Sequence, residues 1–227
     1  MLKYMALITA TLVVSPSAHA DQTKWPALFR EAALPKGDDF SIQFETRIED
    51  QKDSEWGHLR YLATYTPGAG RDITILHLPT DAKYDQMKKN LEQNENGIWC
   101  DDYTDVVGGP VELVSETTEE AVFSFPANPK AAFDKYQKKV WEKTRVTLNI
   151  DKAKGVVKTF SYKLEEPVKP VIVAKVTQME ISGRCEAQVD GRPVVTHIET
   201  TVLGSAMGNT IDQSRIQTIS EISAVPR

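Results

Sequence analysis

Three histidines follow residue 20: His58, His77 and His197. Neutral imidazole is a common metal ligand, and a catalytic zinc site needs several such groups converging on one point. His58 and His77 flank a predicted turn. With Thr66 opposite Asp72 across that turn, Tyr61 faces His77, and the two histidines point to opposite faces of the sheet. This spacing predicts no shared metal, and no cofactor is assigned.

Nucleophile patterns are equally thin. Gly204-Ser-Ala-Met-Gly208 has the composition of a nucleophile elbow, but its serine is one place early and its flanks read strand–strand. Cys100 sits beside Asp101 and Asp102, whose negative charge raises a thiol pKa and opposes a reactive thiolate. The carboxylate pairs Asp101-Asp102, Glu119-Glu120 and Glu165-Glu166 are sequence neighbours. On extended chain neighbours point opposite ways, so none is a ready acid–base dyad. Gly68-Ala-Gly70 lacks the third glycine and the following helix of a dinucleotide loop. No catalytic residue is predicted, and the chain is read as a non-enzyme.

The compartment is more legible. Met1-Leu-Lys-Tyr carries one positive charge, Met5 to Val14 is apolar apart from two threonines, and Ser15-Pro-Ser-Ala-His-Ala20 ends in Ala-x-Ala. That is the three-part pattern of a cleaved export signal. It predicts a signal peptide over 1–20, one β-rich domain over 21–227, and a soluble periplasmic protein. No later stretch approaches the roughly 20 apolar residues of a membrane-spanning helix. Removing Lys3 leaves 26 basic against 32 acidic residues, a balance of −6. An acidic chain without a basic run has no footprint for nucleic acid. In an oxidising compartment Cys100 and Cys185 can form one disulfide, and two buried free thiols are the other possibility.

What would position these residues is mostly β structure. Trp25 to Leu34 has helical spacing, with Pro26 at its first turn and Pro35-Lys-Gly37 as a stop. Phe40, Ile42, Phe44 and Ile48 alternate as a strand, and Leu59, Tyr61, Ala63 and Tyr65 share a face of the next. Asp72 to Leu78 returns. A short helix, capped at Thr80-Asp81 and ended by Asn96-Gly97, carries Tyr84, Met87 and Leu91 on one stripe. Trp99 to Asp105 is an ordered loop. Val111 to Val114 and Ala121 to Phe125 are short strands. Asn128-Pro129 opens a predicted helix over 129–142, with Phe133, Tyr136 and Val140 inward and a lysine stripe of Lys135, Lys138, Lys139 and Lys143 outward. From Thr144 onward the pattern is β, interrupted by the prolines of 165–170.

The last meander centres on Asp190-Gly191, a hairpin signal between Val171–Val189 and Arg192–Leu203. Gly183, Gly204 and Gly208 are the predicted bends. Val171 to Val176 reads as one strand apolar on both faces. Tyr61, Tyr65, Phe160, Tyr162, Val173 and Met179 are the candidate lining of an apolar cavity. The fold class is mainly β (α+β), a curved antiparallel sheet or open half-barrel with two to three covering helices.

This order of signal, helix, strands, helices and closing β-meander resembles the LolA/LolB/RseB class of periplasmic half-barrels. In that class a helix-covered sheet receives lipid chains or lipoproteins on its apolar concave face. The resemblance implies a lipid-like ligand, and no site residue is carried over from it. The Cys100/Cys185 pair and the helix at 129–142 are additions to the class pattern. The leading expectation is a non-catalytic periplasmic binder of an apolar or lipid-like ligand, in lipid or lipoprotein handling or envelope maintenance. The alternative is a protein-interaction module, a sensor or assembly factor with an envelope protein partner and no ligand cavity. A periplasmic hydrolase is third.

Overall fold

The computed structural model describes residues 21–34, 40–50, 58–67, 69–78, 84–92, 98–132, 134–189 and 191–225. Among these the strands are β1 (Ile42–Asp50), β2 (His58–Thr66), β3 (Gly70–His77), β4 (Glu112–Glu116), β5 (Glu120–Pro126), β6 (Thr144–Asp151) and β7 (Val156–Leu164). They continue with β8 (Val168–Val171), β9 (Ala174–Arg184), β10 (Ala187–Val189), β11 (Arg192–Val194), β12 (His197–Ala206) and β13 (Asn209–Ala224). The helices are α1 (Ala27–Ala33), α2 (Tyr84–Glu92) and α3 (Lys135–Trp141).

One antiparallel sheet runs β3-β2-β1-β13-β12-β9-β7-β6-β5-β4, with β8 on β9 as a side branch. Its end strands, β3 and β4, do not pair with each other, so the sheet is an open half-barrel. The alternation read from sequence sets its two faces. On β6 every second residue from Thr144 to Ile150 is buried, and on β1 Ile42, Phe44, Thr46 and Ile48 are. A strand slipped by one residue would turn all these side chains to water, so burial of one face fixes the register.

The inner face is covered from the flanks. α1 packs on β7, α2 on β3, and α3 on β8 and β6. Phe29 of α1 meets Phe123 and Phe125 of β5 edge-on at 5.6 and 5.4 Å. The segment 98–107 also lies over this face. Asn128 holds it, its Nδ2 donating to the Asp105 carbonyl at 2.8 Å and its backbone N–H to the Val106 carbonyl. Cys100 and Cys185 are disulfide-bonded.

Several expectations need correction. The helix over 129–142 is two pieces, a 3₁₀ turn Pro129–Ala131 capped by Asn128 and α3 capped by Asp134. Ala132 between them is extended, with ψ 139°. The Asp134 carboxylate accepts from the N–H groups of Tyr136 and Gln137, both at 2.7 Å, and so starts a new helix. Phe133 lies outside the described residues. Val171 to Val176 is not one strand: Ile172 and Val173 form the turn between β8 and β9. The prolines of 165–170 permit only the short side strand β8.

β10 and β11 pair with Val189 opposite Arg192, a two-residue connection through Gly191 at φ +79°. Asp190 itself lies outside the described residues. The arms of that hairpin are broken, however. β10–β11 is a separate ribbon at the tip of the longer β9–β12 hairpin. Gly208 is not a bend within a strand: with Met207 it forms the β12–β13 turn, at φ +84° and +51°. The cap at Thr80-Asp81, the stops at 35–37 and 96–97, and the signal segment 1–20 lie outside the described residues.

Candidate functional site

Strand pairing places five of the six candidate lining residues on the inner face. Tyr61 pairs with Thr46 and Tyr65 with Ile42, at the β2 flank. Phe160 pairs with Leu148 and with Gly183, and Tyr162 with Val146 and Ile181, at the β7 flank. Met179 pairs with Val202 between them. Tyr61 and Tyr65 are thus separated from Phe160 and Tyr162 by β1, β13, β12 and β9. They form two flanks of one face and not a single cluster. Val173 does not join them, because it stands 51% exposed in the β8–β9 turn.

The β7 flank is packed solid. Phe160 meets Tyr103 at 6.1 Å and Tyr162 at 6.0 Å, and Tyr162 meets Trp141 at 6.1 Å. Burial raises the pKa of both Tyr103 and Tyr162, since neither phenol can ionise away from water. On the other flank the Arg71 guanidinium lies 5.5 Å from the Phe44 ring centroid, a cation–π approach. Burial lowers the Arg71 pKa, with Tyr61 and Tyr65 opposing that shift.

A strip along the same face runs from β2 across β1, β13 and β12 to β9. Ile48, Leu59, Val176, Met179 and Val202 are its buried apolar members. Register adds Thr200, Gln213 and Arg215 on the same face. Arg215 Nε donates to Asp50 Oδ1 at 2.8 Å. The strip is therefore apolar on β1 and β2 and on β9 and β12, with polar side chains on β13 between them. Sequence reasoning found Met179 and placed Val176 in the apolar run Val171–Val176, but missed Val202, whose only signal was alternation along β12.

The outer face carries a cleft of about 260 Å³ over β6, β7, β9 and β12. Thr147, Asn149, Ser161, Ser182, His197 and Glu199 line it. His197 Nε2 and Glu199 Oε1 lie 2.8 Å apart. Among the described residues no hydrogen bond joins the Ser161 or Ser182 hydroxyl to His197.

The histidine expectation changes as well. Gly70 lies opposite Thr66, and a register shift puts Arg60 opposite His77. His58 and His77 therefore share the outer face. Among the described residues no group of three His, Cys, Asp or Glu side chains could hold a metal ion.

No family model matches the chain, and no curated protein does. Among solved structures, a LolA superfamily protein from Nitrosomonas europaea aligns at a TM-score of 0.44 and 10% identity, over 88% of this chain and 93% of that one. A DUF1329 family protein from Desulfovibrio piger aligns at a TM-score of 0.34 and 10% identity, over 82% and 86%. These likenesses concern fold alone. The open antiparallel half-barrel expected from element order is the architecture that the strand pairing itself displays. No helix among the described residues is long and apolar enough to cross a membrane.

Proposed function

We propose that the chain is exported to the periplasm as one domain over 21–227, and that it binds an apolar or lipid-like ligand without catalysing a reaction. The observation that carries this reading is the central inner strip. Val176, Met179 and Val202 give it an apolar floor, and the Asp50–Arg215 pair beside them on β1 and β13 gives it a polar group. An amphiphile matches that division, because apolar contact supplies affinity and a few polar groups set orientation. Among the described helices, α1 packs on β7, α2 on β3 and α3 on β8 and β6.

Native mass spectrometry of protein recovered from the cell envelope tests this. The expected result is the chain plus a bound mass of lipid size, with occupancy lost in Val202→Arg. Only the bare chain mass, together with no uptake of an added fluorescent fatty acid, would overturn it.

A second reading is a protein-docking module, favoured by β4. That edge strand is exposed at every residue, including Leu113 and Val114. It offers unpaired backbone groups to a partner strand. Its test is capture of an envelope protein that competes with a peptide matching β4.

A further inference from the structure

The β8–β9 turn and the β12–β13 turn lie side by side at one end of the half-barrel. Ala174 pairs with Ala206, and the Met207 N–H donates to the Val173 carbonyl at 2.7 Å. Together they push three large aliphatic side chains into solvent: Ile172 at 99% exposure, Val173 at 51% and Met207 at 50%. Single exposed aliphatics are common, but three on adjoining turns make a continuous apolar prong.

Met207 adds a second observation. It holds a left-handed conformation, φ 51°, ahead of Gly208 at φ 84°. Two positive φ values define the tight hairpin turn that favours Asn-Gly, so methionine is a poor choice for the backbone. An unfavourable residue kept at an exposed tip points to a use outside the fold.

The surroundings supply the charge. Val168 to Gln178 contains Lys169 and Lys175 and no acid, in a chain of net charge −5. Both lysines are exposed. α3 packs against β8 and adds exposed Lys135, Lys138 and Lys139, the last donating to the Pro170 carbonyl at 2.9 Å. An apolar prong with lysines along its β8, β9 and α3 side is the composition of a surface that enters the lipid headgroup region, where buried apolar area and attraction to anionic lipid add.

We infer that the paired turns Ile172-Val173 and Met207-Gly208 form a tip that docks reversibly on anionic lipid bilayers. This inference needs no ligand on the inner face, so it stands or falls separately from the binding reading. Co-sedimentation with phosphatidylglycerol-containing vesicles, using protein purified as the cell processes it, is the test. Wild-type protein is expected to partition onto these vesicles, to do so far less onto pure phosphatidylcholine, and to be released by salt. Ile172→Ser is expected to weaken partition about tenfold, the scale of one large aliphatic side chain withdrawn from apolar contact. Met207→Asn suits the turn better, so it should keep or raise thermal stability while still weakening partition. No partition by wild type would overturn the inference, as would unchanged partition by both variants. Concentration-dependent dimerisation that Ile172→Ser abolishes, without vesicle binding, would assign the tip to self-association and equally overturn it.

Discussion

Asp101 and Arg192 form a buried ion pair between segment 98–107 and β11. Arg192 Nε lies 2.9 Å from Oδ1 and 3.1 Å from Oδ2, and the side chains are 2% and 0% exposed for Arg192 and Asp101. The guanidinium also stacks 4.3 Å from the Trp99 ring centroid. The pair joins segment 98–107 to β11, and Cys100 N–H donates to the Pro193 carbonyl beside it. Removing one partner leaves a buried charge uncompensated, whereas replacing both with apolar groups of similar volume is often neutral. Asp101→Ala is therefore expected to cost about 3–5 kcal/mol in urea unfolding. The double change Asp101→Leu with Arg192→Met should recover most of that loss.

The disulfide acts on the same junction. Cys100 and Cys185 are 85 residues apart and close a long loop. Replacing both with alanine is expected to lower stability by about 2–4 kcal/mol, through the freedom returned to the unfolded chain. Without prior reduction, a thiol reagent should label neither cysteine in the folded protein. Chemical denaturation and mass spectrometry read the two outcomes.

Two glycines permit close approaches that alanine would block. A Cβ on Gly204 would lie 2.2 Å from the Lys175 carbonyl oxygen, where β9 and β12 shift register. A Cβ on Gly183 would lie 2.1 Å from the Phe160 ring, which Tyr103 and Tyr162 already hold from other sides. The Gly204 clash involves backbone, so side-chain rotation cannot relieve it. Gly204→Ala is expected to cost more than Gly183→Ala, and Gly183→Ala about 1–3 kcal/mol, the usual cost of overpacking. Thermal unfolding of the two variants checks the order.

Tyr162 gives the fold an alkaline limit. Its hydroxyl is buried without a hydrogen-bond partner, and burial raises its pKa. The folded state therefore favours the neutral phenol. Its contribution is fully present below the unfolded pKa of about 10 and is lost as pH rises above that value. Urea midpoints are expected to hold up to about pH 9 and fall beyond pH 10. Tyr162→Phe removes an unsatisfied polar atom, so it should be neutral or stabilising at pH 7 and should shrink the alkaline loss.

Alternation was enough to identify the antiparallel strands and their buried face, while the expected curvature rested on the glycine bends. Ile42, Phe44 and Ile48, or Val146, Leu148 and Ile150, can bury only one face of a pleated strand, so local sequence dictates both strand and orientation. The cysteines were legible for a similar reason, since only one pairing exists. Other features depend on contacts between segments far apart in the chain. The helix at 129–142 divides because Asn128 is drawn to Asp105 and Val106, while Asp134 offers a second cap. The face shared by His58 and His77 depends on a register shift between β2 and β3. Val176, Met179 and Val202 become one floor only because β9 and β12 are neighbours. Composition and period act over a few residues and so determine strands, faces and the disulfide partners. Which strands adjoin, which turns lie together and what fills the inner face are decided by packing across the whole sheet.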